Sequence, residues 1–207
     1  MMNANVMHRI LILGASLLFA SCTGIGSWIQ HPDCLVVPVS VGDLPDDIDL
    51  RARMRFSVEG REAHFEVIAR RVSEELVVVG IAQSGIRLFA VHQRGREIAL
   101  ERTLSRKSAH LARWTLDALH RALWISPPPD AEAGLVVNWS WESEIVTESI
   151  DGERRSRKFV RPGESDSVLI RYLSPAAEAG GRVEIQNFRC GYEATFVVVQ
   201  TSERFVQ

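Results

Sequence analysis

Apolar and polar residues alternate along most of the chain after residue 53, and this period of two predicts half-buried β-strands. Short connections that contain Ser, Gly or Arg separate the alternating segments, as antiparallel hairpins require. No helical period interrupts the first group of segments, so the sequence predicts a meander. The predicted strands begin near residues 54 and 65 and continue at 75–82, 86–92 and 97–103.

Residues 108–124 have instead the period of an amphipathic helix, and the prolines at 127–129 prevent its continuation. Asp117 lies four residues from both Arg113 and Arg121. Side chains at this spacing are neighbours on a helix surface, so we expect these charges to pair on the solvent-facing side. The opposite, apolar face is expected to lie on a sheet.

Alternation resumes at residue 135, and Asp151-Gly152 is the dipeptide typical of a type I′ hairpin turn. Before the first meander, 35–41 predicts an edge strand limited by Pro38, and 43–50 a short helix or loop. In total, ten or eleven antiparallel strands and one mid-chain helix are expected. Such a set of elements folds as a barrel, a half-barrel or a curved sheet wrapped over a helix. The later strands are predicted at 135–141, 144–150, 153–160, 167–173, 182–188 and 192–201.

The composition narrows the classes of function. Hydrophobic residues make up 46% of the 207 positions, enough to bury a core, which excludes a disordered chain. The formal net charge of −2, from 24 basic and 26 acidic residues, does not suit a nucleic-acid-binding protein.

The amino terminus has the pattern of a secretory signal. An apolar run at 10–20 follows His8 and Arg9, and it is too short to span a bilayer, which takes about 20 residues. The run ends at Ala20, and Ser21 and Cys22 follow it. The sequence FASC at 19–22 resembles the cleavage site of bacterial lipoproteins, although lipoproteins usually have Leu three residues before the cysteine, where this chain has Phe19. An ordinary signal peptide followed by a coincidental cysteine is the alternative.

The lipoprotein resemblance implies that Cys22 is lipidated and anchors the chain to the membrane after removal of residues 1–21. Residues 22–34 would then form a tether, and 35–207 a single β-rich domain. Asp after the cysteine favours retention in the inner membrane in lipoproteins of this type. Because Thr23 stands there, the resemblance implies the outer membrane, with the domain facing the periplasm.

The two other cysteines, Cys34 and Cys190, are candidates for a disulfide in that oxidising compartment. Two unrelated buried thiols are the alternative. His31, Asp33 and Cys34 form no specific metal-binding signature, so no metal or other cofactor is expected.

Nothing in the sequence predicts catalysis. It contains no GxSxG, HExxH, CxxC or P-loop motif. His110 and His120 are ten residues apart on the predicted helix, and Glu142 and Glu144 share one face that is expected to be wet. We therefore expect a protein that is not an enzyme.

Two groups of basic residues are conspicuous. Arg51, Arg53 and Arg55 alternate along one predicted strand, and the second group surrounds the Asp151-Gly152 hairpin. One explanation for these groups is structural: positive side chains on an edge strand discourage its pairing with the edge of another sheet. The functional one is attraction to anionic lipid or to an acidic carrier protein. The second group comprises Arg154, Arg155, Arg157, Lys158 and Arg161.

The order of strands, helix, prolines and strands resembles the LolA/LolB-like lipoprotein carriers. The segments FSVEG (56–60), SGIRLFAVHQRG (84–95) and VEIQNFRCGY (183–192) look like a family of bacterial outer-membrane lipoproteins of unassigned function, often encoded with fatty-acid or aryl-polyene synthesis genes. The resemblance implies a mainly β fold, an incomplete antiparallel barrel with the helix on its concave side.

A concave face of this kind is expected to be lined by apolar side chains, which either contact a ligand or simply form a packed core. The leading hypothesis is a protein that binds or transfers a lipidic ligand, an acyl or polyene chain or the acyl groups of a lipoprotein. The alternative is an anchored scaffold that recruits an envelope or biosynthetic protein. The candidate lining residues are Phe56, Val58, Phe65, Val67, Leu88, Leu116, Leu119, Leu123, Val137, Trp139, Trp141, Ile170, Tyr172, Phe196 and Val198.

Overall fold

Tight hairpin turns fold the first half of the chain into the meander that its alternation predicts. The computed structural model describes residues 38–128, 135–152, 154–176 and 178–201. Glu59 and Gly60, between the first two strands, have φ of 50° and 74°, as a type I′ turn requires. The strands of this half are β1 (Asp49–Val58), β2 (Arg61–Val72), β3 (Glu75–Ala82), β4 (Arg87–Arg94) and β5 (Glu97–Thr103).

One helix follows in the described part of the chain. It consists of α1 (Arg106–Leu119) and a π-helical turn (His120–Trp124), so it begins two residues before the predicted start. Ser105 caps it, because its Oγ accepts a hydrogen bond from the backbone N–H of Ser108 at 3.3 Å.

Six more strands follow the helix, and all eleven form one open antiparallel sheet in the order β5-β4-β3-β2-β1-β11-β10-β9-β8-β7-β6. The first and last strands, β1 and β11, pair with each other and join the two meanders into one sheet. The expected fold class is thereby confirmed. The later strands are β6 (Val136–Trp141), β7 (Glu144–Asp151), β8 (Arg154–Val160), β9 (Ser167–Tyr172), β10 (Arg182–Asn187) and β11 (Tyr192–Thr201).

The sheet is strongly curved around the helix. Neighbouring strands lie about 4.8 Å apart, so the eight steps from β4 to β7 would span about 38 Å in a flat sheet. Yet the consecutive residues His120 and Arg121 contact both strands, through Gln93 of β4 at 2.8 Å and Glu144 of β7 at 2.5 Å. Only a sheet that wraps around the helix allows this, and the helix therefore lies on its concave side.

The two edges of the sheet approach each other without closing it. Arg96, in the turn between β4 and β5, pairs with Glu142, in the turn between β6 and β7, at 2.7 Å. Both side chains are accessible to solvent. The strands β5 and β6 each pair with one neighbour and do not pair with each other. The architecture is an incomplete barrel.

A row of aromatic rings fills the part of the concave face nearest β1. The rings of Phe89, Phe65, Phe56, Tyr192 and Trp114 follow one another with centroid separations of 5.9, 5.9, 5.3 and 5.5 Å. All five side chains are buried. Because one ring belongs to α1, this row attaches the helix to the sheet.

The predicted strand at 35–41 is wrong in its described part. Pro38 to Ser40 are irregular, and Val41–Asp43 form a short 3-10 helix. The backbone of Val39 bonds to side chains instead of a neighbouring strand: its N–H donates to His120 and its carbonyl accepts from Gln93. Residues 35–37 lie outside the described residues.

All described residues belong to the unit His31–Gln207. The expected signal segment 1–21 and tether 22–34 lie outside the described part, and their boundaries stay predictions.

Candidate functional site

Most of the side chains predicted to line the concave face are buried. Apart from Leu88, they point inward from the strands or lie on the apolar side of the helix. Because the helix covers this part of the face, their contact with a ligand stays a prediction. The buried ones are Phe56, Phe65, Val67, Leu116, Leu119, Trp139, Ile170, Tyr172, Phe196 and Val198; the half-buried ones are Val58, Leu88, Leu123, Val137 and Trp141.

A β-bulge changes the position of Leu88. The register between β3 and β4 shifts at Gly80/Ile81, so that β4 contains one extra residue there. Phe89 is consequently the buried residue, and its ring lies over Gly80, where an added Cβ would be 2.3 Å from the ring. The alternation of residues 86–92 alone does not reveal this bulge.

A network of buried charges lies beside the aromatic row. Arg121 donates from Nε to Asp117 Oδ1 at 2.7 Å and from Nη1 to Glu144 Oε2 at 2.5 Å. Glu144 also accepts from Arg189, and Asp117 Oδ2 accepts from the Tyr192 hydroxyl at 2.9 Å. We name Asp117, Arg121, Glu144 and Arg189 the buried ion network; each is at most 8% exposed.

Within this network, Arg121 and Glu144 hold each other in the ionised form. Burial alone would raise the pKa of Glu144, but Arg121 and Arg189 outweigh it and the pKa is lowered. Burial likewise opposes the charge on Arg121, yet Asp117 and Glu144 raise its pKa. A cavity of about 10 Å³ adjoins the network, which is room for about one water molecule.

The expectation that Asp117 and Arg121 pair on the solvent-facing side of the helix is therefore wrong. The pair forms, but it faces the sheet, where Glu144, Asn187 and Tyr192 provide further partners. The expectation of a wet face shared by Glu142 and Glu144 is also wrong, because Glu142 is exposed and Glu144 is buried.

A second group of ion pairs joins β7 and β8. Glu148 accepts from Arg155 at 2.9 Å and from Arg157 at 2.8 and 2.6 Å. Arg157 also donates to the carbonyls of Arg121 and Ile125 at the end of the helix, where the negative end of the helix dipole favours a cation. Because β8 is an interior strand, the edge-protection explanation for this group of arginines is wrong.

The chain matches a known family over residues 49–200, from the first residue of β1 almost to the end of β11. That family is described as protein of unknown function (DUF3261). The chain belongs to this family. No curated protein matches the chain significantly.

In this DUF3261 protein, the backbone of Val39, ahead of β1, is attached to the core through His120. Its Nδ1 accepts from the backbone N–H of Val39 at 3.2 Å, and its Nε2 lies 2.8 Å from Gln93 Oε1. Gln93 in turn donates to the carbonyls of Val39 and Gly95 at 2.7 and 2.8 Å. The side chain of His120 is fully buried, and burial together with the charge of Arg121 lowers its pKa to about 3.

One end of the concave face is open to solvent. The carbonyl of Leu135, directly before β6, accepts a hydrogen bond from the backbone N–H of Ile150 in β7. Ile150 lies opposite Arg155 of β8, and Arg155 lies opposite Tyr172 of β9. Opposite residues in an antiparallel pair face the same side, so these four side chains form one row, which we name the mouth row. Leu135 is 74% exposed and Ile150 42% exposed.

The other predicted basic group of this DUF3261 protein lies on the convex face. Arg51 and Arg55 pair with Glu66 and Glu62 of β2, and Arg53 lies between them. A groove of about 690 Å³ runs along this part of the sheet. Because β1 is a central strand, these arginines do not protect an edge either.

Cys190 forms a disulfide whose partner lies outside the described residues, so its pairing with Cys34 stays a prediction. Among the described residues, no cluster of His, Cys, Asp and Glu could hold a metal ion. Within the same residues, no helix has the length and apolar character needed to cross a membrane.

Proposed function

We propose that this protein is an outer-membrane lipoprotein, anchored through Cys22 and facing the periplasm, that binds or transfers a lipidic ligand. One observation carries the proposal: Leu135 and Ile150 present exposed aliphatic side chains on the concave side of an incomplete barrel. Exposed apolar surface on a concave face is typical of ligand-binding sites. The layout that resembles the LolA/LolB-like carriers and the FASC sequence at 19–22 give further support.

The ligand, an acyl or polyene chain, is placed at the mouth row and not beneath the helix. Leu116 and Leu119 of α1 are fully buried, and the aromatic row occupies the adjoining face. Insertion of a chain there would require the helix to give up this burial, at about 25 cal/mol per Å² of apolar surface.

Replacing Leu135 by Glu is expected to reduce the amount of lipid that copurifies with the full chain by at least about half, because a carboxylate at this position opposes contact with an acyl chain. The measurement is mass spectrometry of lipids extracted from the protein after purification in a detergent that contains no acyl chain. Ile145→Glu is the matched control, because Ile145 is 47% exposed on the convex face of β7.

The control should retain the lipid content of the unsubstituted protein. Two results contradict the proposal: an absence of lipid from the unsubstituted protein, or an equal loss of lipid in both variants.

Replacing Cys22 by Ala is expected to move the protein from the membrane fraction to the soluble fraction. Three acyl chains, the number that the lipoprotein resemblance implies, hold a protein far more firmly than one, at about 0.8 kcal/mol per buried methylene. Membrane fractionation and labelling with radioactive palmitate measure the two consequences. Cys34→Ala is the control and should stay labelled and membrane-bound; a Cys22→Ala variant that also stayed there would refute the anchor.

The rival is a scaffold that recruits an envelope or biosynthetic protein. The convex groove favours it, because arginines along a groove suit an acidic partner. Crosslinking in the periplasm distinguishes the two functions, since the scaffold captures a protein through Arg51 and Arg53 and carries no lipid.

A further inference from the structure

The mouth row contains a positive charge next to its aliphatic side chains. Arg155 and Arg157 share one carboxylate, that of Glu148. The other acidic residue of the hairpin tip that the structure describes, Asp151, follows Ile150 and therefore faces the convex side. Around Glu148, two guanidinium groups therefore share one carboxylate, because the other concave carboxylate of β7, Glu144, is engaged by Arg121 and Arg189.

Of the two arginines, Arg155 is the accessible one. Arg157 is buried and directs its Nη1 to two backbone carbonyls of the helix. The side chain of Arg155 is 35% exposed, and its guanidinium carbon lies 5.0 Å from the centre of the Tyr172 ring. Stacking on a ring fixes a guanidinium plane and leaves its outer N–H groups available to a ligand.

Two buried indole donors have no acceptor among the described residues. The indole N–H groups of Trp124 and Trp139 form no hydrogen bond in the part of the chain that the structure describes, although each side chain is more than nine-tenths buried. The guanidinium carbon of Arg157 is 5.5 Å from the ring of Trp139, and Arg157 also donates to the carbonyl of Ile125, the residue after Trp124. A buried donor without an acceptor is costly and indicates a missing partner.

The register determines how these features are arranged. Leu135, Ile150, Arg155 and Tyr172 occupy successive strands, so the row spans about 14 Å from β6 to β9. Its outer half is aliphatic and exposed, and its inner half carries the guanidinium. This order, apolar and then cationic, matches a molecule with a hydrocarbon chain and an anionic head.

We infer that the mouth row binds an anionic single-chain amphiphile, whose carboxylate or phosphate head contacts Arg155 and whose chain crosses Ile150 and Leu135. A guanidinium binds either head through two parallel hydrogen bonds. The inference rests on the proposed function and deepens it by naming the class of ligand. The rival ligand, a neutral lipid, would gain nothing from the charge of Arg155.

The test is competition for the full chain, purified and freed of lipid, with a pyrene-labelled dodecanoate probe below its micellar concentration. The competitors are dodecanoate, monododecyl phosphate and dodecanol, which share a chain and differ in the head. Arg155→Gln is expected to weaken binding of both anions at least about tenfold and to leave dodecanol unchanged. The ratio of dodecanoate to monododecyl phosphate distinguishes a fatty-acid head from a phospholipid head.

Arg154→Gln is the matched control. Arg154 is exposed in the same hairpin but faces the convex side, opposite Asp151, so its replacement should leave all three affinities unchanged. Arg155→Lys keeps the charge but loses the paired donors, and it should weaken the anions by less than Arg155→Gln does. It provides the same readout if Arg155→Gln does not fold, which the thermal unfolding curve shows.

Each outcome decides the matter. A selective loss of anion binding in Arg155→Gln, or in Arg155→Lys, supports the inference. Dodecanol that binds as tightly as the anions, or anion binding that survives replacement of Arg155, overturns the inference and leaves the proposed function standing. If none of the three amphiphiles binds, both the inference and the proposed function are overturned.

Discussion

Replacing Glu144 by Ala is expected to lower the free energy of unfolding by about 3–5 kcal/mol, the usual cost of removing one member of a buried ion pair. Glu144 is the carboxylate that joins Arg121 of the helix to Arg189 of the β10–β11 turn. Without it, both guanidinium groups lose a partner while they remain at most 8% exposed. Urea unfolding followed by circular dichroism measures the difference.

Glu142→Ala is the control for this variant, because Glu142 lies two residues away and pairs with Arg96 in an accessible position. An accessible pair contributes at most about 1 kcal/mol. A loss of less than about 1 kcal/mol in Glu144→Ala, or equal losses in the two variants, would contradict the role given to the buried ion network.

Lowering the pH from 7 to 5 is expected to destabilise the folded protein through His120. Burial, aided by the charge of Arg121, lowers the pKa of His120 from 6.5 to about 3, so the imidazole stays neutral in the folded state. In the unfolded chain it is protonated below about pH 6.5. Because the unfolded state then binds the additional proton, the free energy of unfolding falls by about 1.4 kcal/mol per pH unit between 6.5 and 3.

His120→Gln isolates this effect, since an amide can accept from Val39 and donate to Gln93 but does not titrate. The variant should lose stability between pH 6.5 and 5 with a slope that is smaller by about 1.4 kcal/mol per pH unit. His64→Gln, which replaces an exposed histidine of β2, should keep the slope of the unsubstituted protein. Equal slopes for His120→Gln and the unsubstituted protein would refute the assignment. The lowered pKa of Glu144 changes the free energy of unfolding only at pH values below this range.

The strands were predictable because their two faces meet different environments. The segments 75–82, 97–103 and 192–201 coincide with β3, β5 and β11, where alternation begins and ends at turn residues. The helix was predictable from its period and from the prolines after it. The bulge at Leu88 was not predictable, because the extra residue lies within an apolar run of β4 and no turn residue marks its position.

The buried ion network could not be predicted from the helix, because charges four residues apart are typical of a solvated face. A signal existed in the strands. Glu144, Val146 and Glu148 alternate on one face of β7, and the predicted type I′ turn centred on Asp151-Gly152 would place Arg155 opposite Glu148. The prediction of that turn is wrong, because Asp151 pairs with Arg154 as the last residue of β7, and Glu148 is therefore opposite Arg157. Acidic residues in the same column as a buried valine, opposite an arginine, indicate an internal pair. Its partners on the helix depend on the curvature of the sheet, which no local pattern contains.

The pairing of β1 with β11 sets the order in which the chain can fold. Each meander forms from contacts between residues close in sequence, but Leu50 pairs with Thr201, about 150 residues away. Contacts of such long range are slow to form, because closing a long loop costs entropy before any contact repays it. The N-terminal meander must therefore keep the free edge of β1 unpaired until β11 becomes available to pair with it. For that interval, the edge of β1 is open to pairing with another chain, so the same pairing that closes the sheet also sets the period in which the chain is most exposed to aggregation.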